Sequence, residues 1–88
     1  MIDLVDVKGD LGKAGGPAAE ALGRNVDHLC LRIEPFDAQA LVEYLQEIGV
    51  PPSAPALRYG AEGTGLSIYC VDPDGNQIEL KGPAQTPD

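Results

Sequence analysis

The stretch Ser67-Ile68-Tyr69-Cys70-Val71-Asp72-Pro73-Asp74-Gly75-Asn76-Gln77-Ile78-Glu79-Leu80 decides how this chain is read. Residues up to Val71 alternate as a strand does, Asp72-Pro73-Asp74-Gly75 supplies turn chemistry, and Gln77 to Leu80 alternates again. Ile78 and Leu80 point one way, which leaves Gln77 and Glu79 on the opposite face. Packing of Ile78 and Leu80 beneath a helix does not account for the acid at position 79. That carboxylate must face water, a partner or a metal ion.

Toward the N-terminus the same alternation recurs in Val26 to Ile33. Leu29, Leu31 and Ile33 fall on one face; Val26, His28, Cys30 and Arg32 fall on the other. His28 is the single histidine of the chain. Asp37 is a good N-cap for a helix over Ala38 to Ile48, and Gly49 is its natural stop. Leu41, Leu45 and Ile48 share a helical face, with Val42 beside them, and the Leu29/Leu31/Ile33 face is the expected mate. Pro51-Pro52-Ser53 breaks the chain, a weak strand over Ala56 to Tyr59 follows, and Gly60 to Gly65 reads as a turn. Strands over Leu66 to Val71 and Gln77 to Lys81 complete the pattern. The order strand, helix, strand, strand, strand predicts an α+β fold. One sheet face is covered by the helix, and the other carries His28, Arg32, Tyr69 and Glu79.

The N-terminal residues are less regular. Ile2 to Val7 is compatible with a short strand, and Lys8 to Arg24 is a Gly- and Ala-rich connector around Gly15-Gly16-Pro17, with one helical turn available at Ala18 to Leu22. The expected organisation is an N-terminal strand and linker over residues 1–23, the folded module over 24–83 and a tail over 84–88. The Pro-rich segment from Gly82 onward is expected to be mobile.

With 88 residues and a net charge of −8, the chain is one small domain whose acidity excludes nucleic acid and anionic membrane as partners. A domain of this size buries only roughly 60–65% of its unfolded surface, so association with a second copy is expected. Cys30 and Cys70 lack disulfide or metal spacing and read as small buried hydrophobes of a reducing cytoplasm. Met1 to Asp6 has neither the basic start nor the apolar run of a signal or membrane segment, and a cytoplasmic location follows as the expectation.

Histidine and carboxylate on one open face suit Zn, Mn, Fe(II) or Ni better than Ca or Mg. Two such donors are fewer than a closed or catalytic site requires, so a second module would supply the rest. A solvated His–Glu pair is the competing reading and, on residue types alone, the commoner one. Tyr69 is at home on any strand. Arg32 suits either a solvated position or an anionic substrate. No Ser-His-Asp order, phosphate-binding loop or paired-Cys motif is present.

Asn25-Val26-Asp27-His28-Leu29-Cys30-Leu31-Arg32-Ile33, the single helix and the Ile68-to-Leu80 ending together resemble one module of the vicinal oxygen chelate superfamily. That group holds glyoxalase I, the fosfomycin- and bleomycin-resistance proteins and the extradiol dioxygenases. The similarity covers about Arg24 to Pro83. It implies a βαβββ module, half of a paired-module cup, in which His28 and Glu79 are ligands of a divalent metal (Zn, Mn, Fe or Ni). It further implies Glu79 as the catalytic carboxylate, Arg32 and Tyr69 as substrate contacts, and lyase or isomerase chemistry on a small oxygenated substrate.

Two departures matter. Residues before Arg24 read as the end of a preceding module and its linker, so either a shortened two-module protein or a homodimer is expected. Ring-cleaving members carry a further His shortly before the position of Tyr69, and residues 59–65 contain none, which disfavours extradiol dioxygenase activity. A drug-sequestering protein without chemistry, or an inactive shortened module, would carry the same fold.

Overall fold

The computed structural model describes residues 1–6, 8–14 and 26–85. Its elements are α1 (Asp10–Ala14), β1 (Leu29–Arg32), α2 (Ala38–Glu47), β2 (Ala56–Gly60), β3 (Gly63–Val71) and β4 (Gln77–Lys81). The four strands form one sheet in the order β1-β4-β3-β2. Strand β1 runs parallel to β4, and the other pairs are antiparallel. A parallel pair needs a long crossover between its members, and α2 with the β2–β3 hairpin provides it. The α+β fold of a single βαβββ module is thus present.

Helix α2 forms where its signals lie. The Asp37 carboxylate accepts the Ala40 N–H at 3.1 Å, which satisfies one of the donors that every helix start leaves free. At the other end Gly49 takes φ +81°, and the Gly49 and Val50 amides return to the Gln46 and Leu45 carbonyls. This left-handed termination is the one glycine makes at least cost. The helix lies over β3. Leu45 of α2 and Ile68 of β3 are buried together there, with Leu41 and Val42 half-buried.

The turn between β3 and β4 is built from its own side chains. Asp72 Oδ1 accepts the amides of Asp74 and Asn76 at 2.9 and 2.7 Å, and Oδ2 accepts the Asn76 side-chain amide at 3.0 Å. Gly75, at φ +87°, closes the loop. The register that follows, Tyr69 beside Glu79 and Ile68 beside Leu80, fixes which side chains share a face.

Several expectations change. Residues 1–6 form no strand, and a short helix, α1, occupies part of the connector. Gly15-Gly16-Pro17 and Ala18 to Leu22 lie outside the described residues. Strand β1 begins only at Leu29, one residue after His28. The glycines read as a turn over 60–65 are mostly strand: Gly60 pairs with Gly63, so the hairpin turn is confined to Ala61 and Glu62. Gly60 and Gly65 are required for space, since a Cβ at either would approach Lys81 Cε or the Pro83 carbonyl to 2.6 Å. The start of the Pro-rich segment is tied down, with Gly82 N–H donating to Leu66 O at 2.9 Å and Gln85 N–H to Thr64 O at 2.7 Å.

The expected mating of α2 with the β1 apolar face is absent. Leu29 and Leu31 remain 59% and 53% exposed, because the helix sits over the central strand rather than over the sheet edge. Cys30 is exposed and Cys70 half-buried, against the expectation that both are core. Cys30 lies on the face opposite the helix, in register with Glu79.

Candidate metal centre on the open face

Strand register assembles the site. Cys30 of β1, Glu79 of β4 and Tyr69 of β3 lie side by side across adjacent strands, and His28 stands just before β1 on the same side. Neighbouring strands lie about 4.8 Å apart, so these side chains meet without any loop to carry them. His28 Nε2 is 3.0 Å from Glu79 Oε1 although the two residues are 51 apart in sequence. The Tyr69 hydroxyl lies 3.3 Å from the same carboxylate oxygen and 3.4 Å from Nε2. The two rings meet edge to face with centroids 5.1 Å apart.

Asp27, an exposed residue absent from the sequence candidates, completes the arrangement. Its Oδ2 lies 2.7 Å from His28 Nδ1. Both ring nitrogens therefore face carboxylate oxygens, and a neutral imidazole can donate to only one of them. With Nδ1 against Asp27, Nε2 faces Glu79 Oε1 at 3.0 Å, a contact that a shared proton closes as a hydrogen bond and that a metal cation could close in its place. The carboxylate of Glu79 is almost fully buried, and its Oε2 has no hydrogen-bond partner among the described residues. A buried acceptor left bare costs about 1–3 kcal/mol, and more when charged. The atom is suited to a cation.

The remaining groups tune this centre. Burial, and after it the Glu79 carboxylate, holds the Tyr69 hydroxyl above its ordinary range, with Arg58 opposing. Tyr69 is therefore a protonated donor at neutral pH. Desolvation at the thiol, followed by the charge of Glu79, likewise raises Cys30, even though the residue as a whole is exposed. Cys30 is no ready nucleophile.

Sequence reasoning missed Arg58, which lies near the Tyr69 ring on this face. Its guanidinium carbon lies 4.5 Å from the ring centroid, and Nη1 donates to Ser67 O and Oγ at 2.9 and 2.7 Å. An arginine on a weak strand carries no local signal of this kind; only the register of β2 on β3 places it. Arg32, by contrast, is at the rim. It pairs with Glu34 at 3.0 Å and Glu62 at 2.7 Å, and it lies level with Lys81 rather than with Glu79. The structure brings His28, Tyr69 and Glu79 together and leaves Arg32 outside the group.

Among the described residues no three His, Cys, Asp or Glu side chains converge as a metal-holding cluster. No helix among them is long and apolar enough to cross a membrane.

No family model matches the chain. Solved structures do resemble it. Virulence protein STM3117 from Salmonella typhimurium is 30% identical with a TM-score of 0.58, over 65% of this chain and 46% of that one. A protein from the mobile metagenome of V. Pseudocholerae is 33% identical with a TM-score of 0.57, over 76% and 55%. An integron cassette protein of V. Cholerae is 29% identical with a TM-score of 0.57, over 76% and 56%. This chain spans about half the length of the solved proteins it matches.

Proposed function

We propose that this chain is a module of vicinal oxygen chelate type, that His28 and Glu79 supply part of a divalent-metal site, and that a second copy supplies the rest. The observation that carries the reading is the bare, buried Oε2 of Glu79 beside the Nε2 of His28. The donor set fits the group: one imidazole nitrogen and one carboxylate, the mixed ligands that Zn, Mn, Fe(II) and Ni accept. When bound, such an ion polarises the neighbouring oxygens of a substrate as a Lewis acid.

The chain's own residues prepare that chemistry. Asp27 holds Nδ1 of His28 and so fixes which nitrogen is turned toward Glu79. The Tyr69 hydroxyl steadies Oε1 of Glu79 and leaves Oε2 free. Glu79 is the candidate for proton transfer in a lyase or isomerase reaction, because a carboxylate beside the ion is placed to take a proton from the substrate. Tyr69 is the candidate hydrogen-bond donor to a substrate oxygen.

Pairing of two copies is supported by the small donor set, by the apolar Leu29 and Leu31 left exposed on β1, and by the greater length of the solved proteins that the chain resembles. A soluble cytoplasmic homodimer binding a small oxygenated molecule is the whole reading. Elemental analysis of purified protein, with and without His28→Ala, tests it. The expected result is a stoichiometric transition metal in the parent protein, lost with the imidazole; a metal content that ignores the substitution rejects the ligand assignment.

A further inference from the structure

Two cations of the open face have no carboxylate partner among the described residues. Arg32 is matched by the acids Glu34 and Glu62. Among the described residues Arg58 donates hydrogen bonds only to Ser67, and Lys81 donates to the carbonyls of Arg58 and Gly65. Fourteen acids against six Lys and Arg make this unexpected. In so acidic a chain, a cation that meets no carboxylate among the described residues leaves its charge open to an anion from outside.

Arg58 is the better placed of the two. Lys81 is almost fully buried, with its ammonium on the carbonyls of Arg58 and Gly65, whereas Arg58 is half-exposed. The Nη1 corner of Arg58 is anchored on Ser67, itself fully buried, so the guanidinium is held in place before any ligand arrives. Nε and Nη2 make no hydrogen bond with the described residues. Together they form the edge of a guanidinium that binds a carboxylate or phosphoryl group through two parallel N–H donors. Tyr69 lies between this group and the proposed centre, with Arg58 near its ring and its hydroxyl on Glu79.

We propose that Arg58 is an oxyanion-binding residue, so that the molecule accepted by this face carries a carboxylate or phosphoryl group about one tyrosine ring away from the His28–Glu79 pair. The role that strand alternation alone gives to Arg32 passes to Arg58, because the acids at the rim neutralise Arg32. The proposal deepens the reading of the face as a ligand surface, and its test is independent of the metal.

The protein in chelator-treated buffer is titrated with inorganic phosphate and, separately, with glutarate, while the arginine Nε–Hε resonances and the backbone amides of Ser67 and Tyr69, which lie against Arg58, are followed by NMR. Saturable movement of the Arg58 signal and of the Ser67 and Tyr69 amides with either probe supports the proposal, and the probe that binds more tightly identifies the anion as phosphoryl or carboxylate. Arg58→Gln abolishes the saturable movement of the Ser67 and Tyr69 amides and Arg32→Gln retains it. Arg58→Lys keeps a cation near Tyr69 but loses the two-donor edge, which weakens binding by about ten-fold or more. Should Arg58→Gln lose amide dispersion, the Arg58→Lys comparison carries the test. Three results would overturn it: an equal movement of the Ser67 and Tyr69 amides in Arg58→Gln or Arg58→Lys, the same response to chloride at matched ionic strength, or no saturation with either probe. Zinc is added only afterwards, so a metal site that fails to load is read separately from an anion site that fails to bind.

Discussion

Asp72 is the residue whose contribution to the fold can be followed by pH. Its carboxylate accepts three hydrogen bonds within its own turn, and these hold it below the ordinary aspartate value of 3.8, the Asn76 side chain first among the causes. A carboxyl whose folded pKa is depressed stabilises the fold fully above its unfolded pKa and loses that contribution as pH falls through the folded one. Melting curves of the parent and of Asp72→Asn are therefore expected to differ most near neutrality and to converge in strong acid. A gap independent of pH would mean that the turn does not depend on the charge. The same residue shows what was legible beforehand. Asp-Pro-Asp-Gly encodes its turn locally, so the turn and the shared face of Tyr69 and Glu79 could be read in advance, while their direct pairing across β3 and β4 is seen only in the sheet. His28 and Glu79 could be assigned to one face by alternation. Asp27 and Arg58 could not, because their roles depend on a rotamer and on a pairing between strands that alternation does not describe.

At the scale of the element, β3 is the strand to which most of the structure is attached. It pairs with β2 and β4, carries Ser53 on Tyr69 through reciprocal bonds of 2.8 Å, and receives the segment after Gly82 on its far end. Gly65 is where that segment comes closest. A methyl group there meets the Pro83 carbonyl, a backbone atom that cannot swing aside, whereas at Gly60 it meets the far end of the Lys81 side chain. Gly65→Ala is expected to cost about 1–3 kcal/mol, as overpacking does, and Gly60→Ala less. Denaturant unfolding of the two variants checks the order, and equal losses would show that Lys81 is as immovable as the backbone. The helix was readable from its caps, but its placement was not. Periodicity shows that α2 has a face to bury; it does not say which strand lies beneath, and Leu29 and Leu31 were assigned to a partner that β3 took instead.

At the scale of the molecule, the buried apolar residues described are few, Leu45 and Ile68, while Leu29, Leu31, Leu57 and Tyr59 stay open on the sheet's edge strands. Such a domain gains from association by mass action, and its melting temperature is expected to rise with protein concentration. Sedimentation equilibrium across the same range checks the cause. A monomer throughout, with a melting temperature independent of concentration, would remove the second copy from the proposed site. Size and acidity were plain from composition, but edge exposure is a property of the assembled sheet, and no single segment announces it.

The parallel ladder of β1 on β4 has a temporal consequence. It joins Leu29 to Ile78 and brings His28 to Glu79 across 51 residues, nearly the whole span of the module. Long-range pairings form late, after the loop between them has been closed at an entropic cost. During synthesis on the ribosome the histidine emerges early and waits, its partner still unmade, until β4 has cleared the exit tunnel. The two side chains thus meet only after β4 has joined the sheet.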